Sequence, residues 1–206
     1  MIGSQRAAGP FGTGALPTGA LGNETDGSTL ATPVFSATAG TALNFYFNFV
    51  TSDGGQYADY AWVELFSSGG TPIALLFTAR TLPSGSIVPG SGLPSPTATL
   101  TPSSVPIIGG APTWAPLGEW SDACFAAGCG YTGWVNSDYT ISSTGNYYLE
   151  FGVVNWIDEI YDTGLAIDGV TVGGMPITGG ATPEPGTLLL LTGLAPFGLW
   201  LRKKLA

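Results

Sequence analysis

The chain has 206 residues, of which 9% are charged, and its formal net charge at pH 7 is −9. It contains no histidine, which excludes Ser-His-Asp and Cys-His catalysis and any histidine-ligated zinc. Both lysines lie at the C-terminus, so a Ser-Lys dyad in the rest of the chain is excluded, and the acidic balance argues against nucleic acid as a partner. The 32 glycines, 16 prolines and 12% aromatic residues favour an all-β extracellular domain.

Residues 1–19 are expected to form a flexible segment ahead of the domain. They contain no basic stretch followed by an apolar one, which is the pattern of a secretory signal peptide. Because other features of the chain indicate export, we expect the signal to be missing from this sequence, with translation starting upstream of Met1. Removal of the signal and a fragmentary chain are the alternatives.

Residues 20–178 are predicted to form one β-sandwich ectodomain of about eight strands. In residues 43–50 Leu and Phe alternate with Asn and Tyr, which is typical of a half-buried strand. Residues 60–66 and 71–79, separated by the turn "SSGG", predict a hairpin. The other predicted strands lie in the stretches "TPVFSATAG", "TATLTP", "GYTGWVNSDYTI", "NYYLEFGVV" and "GLAIDGVTV". This number of strands fits a two-sheet jelly roll.

The segment 80–120, rich in Pro, Gly and Ser, is predicted to be irregular, and it contains two candidate ligand-stacking residues, Trp114 and Trp120. Exposed indole faces stack on sugar rings through apolar contact. The alternative is that both side chains pack beneath the long loop. Trp62 and Trp134 lie in apolar strands and are predicted to belong to the core.

Asp168 is the main candidate metal ligand because it lies within the apolar stretch "LAIDGVTV". A buried carboxylate must be paired or ligated, and the domain contains few basic residues. A structural calcium ion would satisfy it with carboxylate and carbonyl oxygens, and Asp59 and Asp26 are further candidate ligands. The alternative is a turn carboxylate that accepts backbone hydrogen bonds.

Three glutamates, Glu64, Glu119 and Glu150, are the candidates for a catalytic carboxylate pair. Glycoside hydrolysis needs two carboxyl groups that face each other across a cleft. Glu64 and Glu150 are more simply explained as outward-facing strand residues, so we expect a protein that is not an enzyme.

Cys124 and Cys129 lie close together in "DACFAAGCGYTGW" and can close a small disulfide loop. Such a disulfide is consistent with an oxidising compartment. The alternative is a pair of reduced thiols that pack as small apolar side chains.

The C-terminus combines a Pro-Glu-Pro triplet, an uncharged apolar run and a basic end. The residues of the triplet and of the basic end are Pro183, Glu184 and Pro185, and Arg202, Lys203 and Lys204. We divide it into a linker, residues 179–186, and a single transmembrane helix with a basic tail, residues 187–206. A helix of about 15 residues spans only ~22 Å of a ~30 Å bilayer core, but snorkelling basic residues and an interfacial Trp200 extend its reach. The basic end predicts a cytoplasmic C-terminus; the alternative is a buried hairpin or helix of the globular core.

This tail resembles the PEP-CTERM sorting signal of Gram-negative bacteria. The resemblance implies recognition by an exosortase, a membrane transpeptidase-like enzyme, with processing near residues 183–185 and delivery to the cell surface or extracellular polysaccharide matrix. The stretches "LNFYFNFVTSDGGQYADYAWVEL", "AAGCGYTGWV" and "YYLEFGVVNWIDEIYDTGLAIDGVTV" resemble an uncharacterised family of PEP-CTERM proteins and, more distantly, lectin-like jelly rolls of bacterial surface proteins. The latter often hold a structural calcium through a last-strand Asp, and Asp168 resembles that position.

Together these features predict an exported, non-catalytic protein that is first anchored in the inner membrane and then sorted to the surface or matrix. Its expected partners are an exosortase, the membrane through the C-terminal helix, and an extracellular polysaccharide. A secreted polysaccharide hydrolase with a carboxylate pair and a purely structural adhesin are the alternative functions.

Overall fold

The computed structural model describes residues 1–4 and 13–177, and this part of the chain is all-β. A single turn of 3-10 helix spans Gly118–Trp120. The strands, in chain order, are β1 (Ile2–Gly3), β2 (Glu24–Ala31), β3 (Phe35–Ala37), β4 (Ala42–Thr51), β5 (Tyr60–Ser67), β6 (Pro72–Arg80), β7 (Ser86–Val88), β8 (Thr99–Thr101), β9 (Val105–Pro106), β10 (Ile108–Gly109), β11 (Gly130–Tyr131), β12 (Val135–Thr140), β13 (Gly145–Trp156), β14 (Thr163–Val172) and β15 (Met175–Pro176).

The strands form two large antiparallel sheets, an arrangement consistent with a β-sandwich. Sheet I has the order β1-β14-β4-β11-β10; in addition β12 pairs with β4 and β8, and β15 pairs with β14. Sheet II has the order β2-β13-β5-β6, with β3 also paired to β13. A small ribbon of β7 and β9 lies beside them.

One apolar core joins the two sheets, and the alternation in β4 supplies much of it. Phe45, Phe47 and Phe49 are fully buried, whereas the intervening Tyr46 is exposed. Phe47 stacks on Phe77 of sheet II with ring centroids 3.7 Å apart, and Phe45 meets Phe151 edge-on at 5.9 Å. The predicted half-buried strand is therefore confirmed, because every second side chain contacts the opposite sheet.

The predicted hairpin is also confirmed as β5 and β6, whereas β2 was not predicted. The sequence of β2, "ETDGSTLA", has no apolar alternation, and Leu30 within it is exposed. Backbone pairing with β13 and close packing at Gly27 hold this strand in place. A Cβ at Gly27 would lie 2.2 Å from the carbonyl oxygen of Thr13, so only glycine fits there.

The described parts of residues 1–19, expected to be flexible, pack against the sandwich instead. Ile2 and Gly3 pair with β14, and Leu16 is buried on the outer face of sheet II. The indole Nε1 of Trp62 donates to the carbonyl oxygen of Gly14 over 2.8 Å. The reason is that the outer face of sheet II carries large apolar side chains that need a cover. We call this cover, residues 13–22, the N-terminal strap.

Among residues 1–4 and 13–177, the structure contains no helix of the length and apolarity that a membrane crossing requires. The predicted linker at 179–186 with its Pro-Glu-Pro triplet, the transmembrane helix at 187–206 and its three basic residues lie outside the described residues.

Candidate functional site

The chain passes between the two sheets twice at the same end of the sandwich. Residues 52–59 lead from β4 to β5, and residues 157–162 lead from β13 back to β14. The two segments are adjacent, because the backbone N–H of Ser52 donates to the carbonyl oxygen of Asp162 over 3.1 Å. We call these two segments the crossover end.

Buried carboxyl groups lie inside the crossover end. Asp59 is 1% exposed; its Oδ1 accepts from the backbone N–H of Trp156 and its Oδ2 from the hydroxyl of Thr163, both over 2.9 Å. Asp53 is equally buried and accepts from the backbone N–H of Gly54 over 2.6 Å. The bonds of Asp59 tie the first crossover to the ends of β13 and β14, the strands that the second crossover connects.

A third buried carboxyl group, that of Asp162, extends the polar cluster towards the N-terminus of the chain. Its Oδ1 accepts from the Ser4 hydroxyl and from the Asn155 side-chain amide, both over 3.3 Å. The Ser4 hydroxyl in turn accepts from the backbone N–H of Thr163 over 2.8 Å. The cluster therefore holds the first residues of the chain against β14.

Burial changes the proton affinity of this cluster. Desolvation raises the pKa of Asp53 to about 7, against a bond from Gly54 that lowers it, and the negative charge of Asp158 adds to the rise. Burial likewise raises the pKa of Asp59 well above its usual value, and the charge of Asp53 adds to it. The crossover end therefore binds protons in a pH range where exposed carboxylates are ionised.

Four aromatic side chains lie in ring contact over the crossover end, and we call them the aromatic shelf: Tyr57, Trp120, Phe125 and Tyr161. The ring centroids of Trp120 and Tyr161 are 4.3 Å apart, those of Phe125 and Tyr161 are 4.9 Å apart, and those of Tyr57 and Phe125 are 5.9 Å apart. Phe125 is 45% exposed, and the other three rings are partly exposed. The shelf thus presents aromatic surface to solvent.

The disulfide loop fixes one part of the shelf. Cys124 and Cys129 are bonded, with Cα atoms 5.5 Å apart, which confirms the prediction from their spacing. Within the loop, the backbone N–H of Phe125 donates to the carbonyl oxygen of Ser52 over 2.9 Å. Phe125 is therefore attached to the first crossover rather than to a free loop.

Backbone geometry fixes Trp120 and Tyr161, the other part of the shelf. The N–H of Trp120 donates to the carbonyl oxygen of Leu117 over 3.0 Å, and Leu117 is buried against Val50 of sheet I. Tyr161 has a φ of 59°, a left-handed conformation that bulky residues rarely adopt. Such a conformation persists only where the surrounding structure enforces it, and it is found most often at functional sites.

The structure separates the two predicted stacking residues. Trp120 belongs to the aromatic shelf, whereas Trp114 is exposed and meets Tyr131 edge-on at 5.8 Å. Trp62 is fully buried, as predicted, but Trp134 is 52% exposed, so its assignment to the core was wrong. Trp134 precedes β12, and the inward alternation of that strand begins with the buried Val135.

Asp168 is exposed, so the expectation of a carboxylate buried in a strand was wrong. It lies opposite the exposed Tyr46, next to a register shift between β14 and β4. Its Oδ1 accepts from the backbone N–H of Gly169 over 2.8 Å, which is the alternative that the sequence left open. Asp59 is buried in the crossover end and Asp26 is buried in β2. Within residues 1–4 and 13–177, no three His, Cys, Asp or Glu side chains are grouped in a way that would hold a metal ion.

Glu64 and Glu150 lie directly opposite each other on β5 and β13. Glu64 faces outward, as expected, and lies under the N-terminal strap, where the Thr18 hydroxyl donates to its Oε1 over 2.9 Å. It is nevertheless only 2% exposed, because the strap covers it. Burial raises the pKa of Glu64, and the charge of Glu150 adds to the rise. Glu119 lies apart from this pair, exposed on the 3-10 helix.

Comparison of the chain with known protein families, with curated proteins and with solved structures gave no match. What the crossover end can do therefore follows from its own residues. Partly exposed aromatic faces with carboxylates beside them are suited to a sugar, which offers C–H groups to the rings and hydroxyl groups to the carboxylates.

Sequence reasoning missed Tyr57, Phe125 and Tyr161. Each lies in a stretch between predicted strands, within a few residues of a glycine or an aspartate. Aromatic residues in such turn-rich stretches are poorly placed for the core, and that signal would have marked them as candidates for exposed contact.

Proposed function

We propose that this protein is an exported, non-catalytic carbohydrate-binding protein of the bacterial cell surface or extracellular matrix, with a jelly-roll ectodomain. The observation that carries the proposal is the aromatic shelf: aromatic side chains from three separate segments that contact one another and remain partly exposed. A monomeric domain has no packing reason to leave such a group at its surface, and clustered exposed aromatic residues favour a binding role.

The shelf is built to bind without rearrangement. The hydrogen bond from Phe125 to Ser52 and the disulfide fix one side, while the 3-10 helix fixes Trp120 on the other. Tyr161 lies between Trp120 and Phe125, in ring contact with both. Because these rings are ordered before a ligand arrives, less conformational entropy is lost when it binds.

Binding is tested by affinity electrophoresis of the 206-residue chain through gels that contain single polysaccharides, in a zwitterionic detergent without a sugar head group. We expect at least one polysaccharide to retard the wild type. Trp120→Ala should abolish this retardation, and Trp134→Ala, which removes an exposed indole outside the shelf, should retain it. Retardation of Trp120→Ala equal to that of the wild type would refute the shelf as the binding surface.

The C-terminal features support the proposed location. The Pro-Glu-Pro triplet, the apolar run and the basic end suit an exosortase substrate that is anchored in the inner membrane before it is sorted. The disulfide is consistent with an oxidising compartment outside the cytoplasm.

Sorting is tested by expressing the chain, behind a secretory signal, in a bacterium that has an exosortase. Replacing Pro183, Glu184 and Pro185 by alanine should leave an unprocessed precursor in the inner membrane. The matched control is Thr182→Ala, which should be processed like the wild type. Equal processing of the triplet variant would show that the triplet is not the sorting element.

A second candidate function, hydrolysis of a polysaccharide, rests on the facing carboxyl groups of Glu64 and Glu150. Because Glu64 lies beneath the strap, the pair favours hydrolysis less than the shelf favours binding, since a hydrolase needs its pair in an open cleft. Release of reducing ends that Glu150→Gln abolishes would support hydrolysis. The structural adhesin would be supported if no polysaccharide bound and none was cleaved.

A further inference from the structure

We infer that the aromatic shelf prefers glycans that carry protonated amino groups over neutral and acidic glycans. This inference rests on the proposed carbohydrate-binding function and adds the chemical class of the ligand. It is drawn from the charges that surround the shelf.

The rim of the shelf is acidic. Glu119 and Asp122 flank Trp120 in the chain, and both are exposed. Asp158 and Glu159 lie within three residues of Tyr161, and Glu159 is exposed. Asp158 is also close enough to the buried Asp53 for its charge to act on it, which places Asp158 at the crossover end.

Positive side-chain charge is scarce among residues 1–4 and 13–177. The basic side chains of the sequence are those of Arg6, Arg80, Arg202, Lys203 and Lys204, and only Arg80 is in the described part of the chain. Its guanidinium donates to the carbonyl oxygen of Ser91 over 2.7 Å, on a loop that follows β7. The side-chain charges of the described residues therefore place a negative field over the shelf.

This negative field should change the affinity of the shelf for three kinds of glycan, which differ in charge. A uronate or sulfate group would be repelled by the rim carboxylates. A neutral glycan would gain the ring contacts alone. A protonated amine would gain an ion pair with the rim and, over the Trp120 ring, a cation–π contact as well.

The test uses two short probes with the same backbone: a β-1,4-linked tetramer of glucosamine and its N-acetylated counterpart, whose amide groups carry no charge. Each is titrated calorimetrically into the 206-residue chain at pH 6 and low salt, in the same zwitterionic detergent. We expect the amino tetramer to bind about three- to tenfold more tightly, the gain of one or two solvent-exposed ion pairs. Salt at 0.5 M should reduce the preference, because it screens exposed charges.

Two variants of equal charge locate the effect. Glu119→Gln with Glu159→Gln removes two of the four rim charges and should weaken the preference. Asp138→Asn with Asp168→Asn removes two exposed charges from sheet I and should keep it. The second variant controls for the general attraction between an acidic protein and a cationic sugar.

The outcomes separate the inference from the function on which it rests. Equal or tighter binding of the N-acetylated tetramer, still dependent on Trp120, would overturn the amine preference and leave the carbohydrate-binding shelf intact. A preference that the sheet I variant loses and the rim variant keeps would also overturn it. If neither tetramer binds and no polysaccharide retards the chain in gels, the proposed function itself fails.

Discussion

The interior of the sandwich and its crossover end differ in the kinds of side chain they contain. Between the sheets, rings such as Phe47 and Phe77 stack in a dry, apolar layer. At the crossover end, the buried carboxyl groups of Asp53 and Asp59 share short chain segments with rings that solvent reaches. The interior needs only apolar residues at alternate positions, whereas the end keeps costly buried acids and exposed aromatics. From this difference we expect stability to reside mainly in the interior, and pH sensitivity and the proposed binding to reside mainly at the crossover end.

The largest effect is expected from Phe47→Ala, which opens a cavity where the two sheets meet. The free energy of unfolding should fall by about 3–5 kcal/mol. Tyr46→Ala, the exposed neighbour on the same strand, is the matched control and should cost no more than about 0.5 kcal/mol. Denaturant unfolding of the full chain measures both. Similar losses for the two variants would show that β4 does not separate a buried face from an exposed one.

The next effect is expected from opening the disulfide loop by Cys124→Ser with Cys129→Ser. Loss of this short cross-link should lower the free energy of unfolding by about 2 kcal/mol. Because the loop carries Phe125, glycan binding should weaken as well. Thermal unfolding and affinity electrophoresis give the two quantities. If the variant is destabilised but binds glycan as tightly as the wild type, the shelf does not depend on the disulfide loop.

A smaller effect on stability is expected from a change of pH, and it arises at the crossover end rather than in the interior. The pKa of Asp53 is raised to about 7 by burial, so the folded chain binds a proton that the unfolded chain has released. This contribution to stability is full below the ordinary aspartate pKa of about 4 and is lost as pH rises through 7. The midpoint of thermal unfolding should therefore fall by about 5 °C between pH 5 and pH 8.

Asp53→Asn tests the origin of that slope. An amide cannot ionise, yet its oxygen can still accept from the Gly54 backbone, so the variant should show a flatter dependence on pH. Asp168→Asn, an exposed aspartate on sheet I, should keep the wild-type slope. A midpoint that rises from pH 5 to pH 8 in the wild type would contradict the raised pKa of the buried acids.

The sequence predicted the interior better than the end. Alternation in β4 and the composition of β5 and β6 are local signals, and the spacing of the cysteines indicated their disulfide. Trp134 and Asp168 were placed wrongly, because an apolar neighbourhood in sequence does not show where the inward alternation of a strand begins or where its register shifts.

The crossover end was harder to predict because its residues are distant in sequence and come together only in the folded chain. Tyr57, Phe125 and Tyr161 come from separate stretches, and no local pattern relates them. Glu64 faces outward as expected, but no local pattern indicates that Thr18 of the strap covers it. The strap in turn depends on contacts with Trp62, forty-eight residues away from Gly14 in the chain.

The central claim is that the aromatic shelf, rather than another exposed indole, is the binding surface. It is tested most directly by labelling the full chain with 5-fluorotryptophan and titrating it with the glucosamine tetramer. The fluorine resonances are assigned beforehand from single Trp→Phe variants. We predict that the resonance of Trp120 shifts and saturates while those of Trp114 and Trp134 stay in place. A saturating shift of Trp114 or Trp134 with Trp120 unmoved would contradict the account.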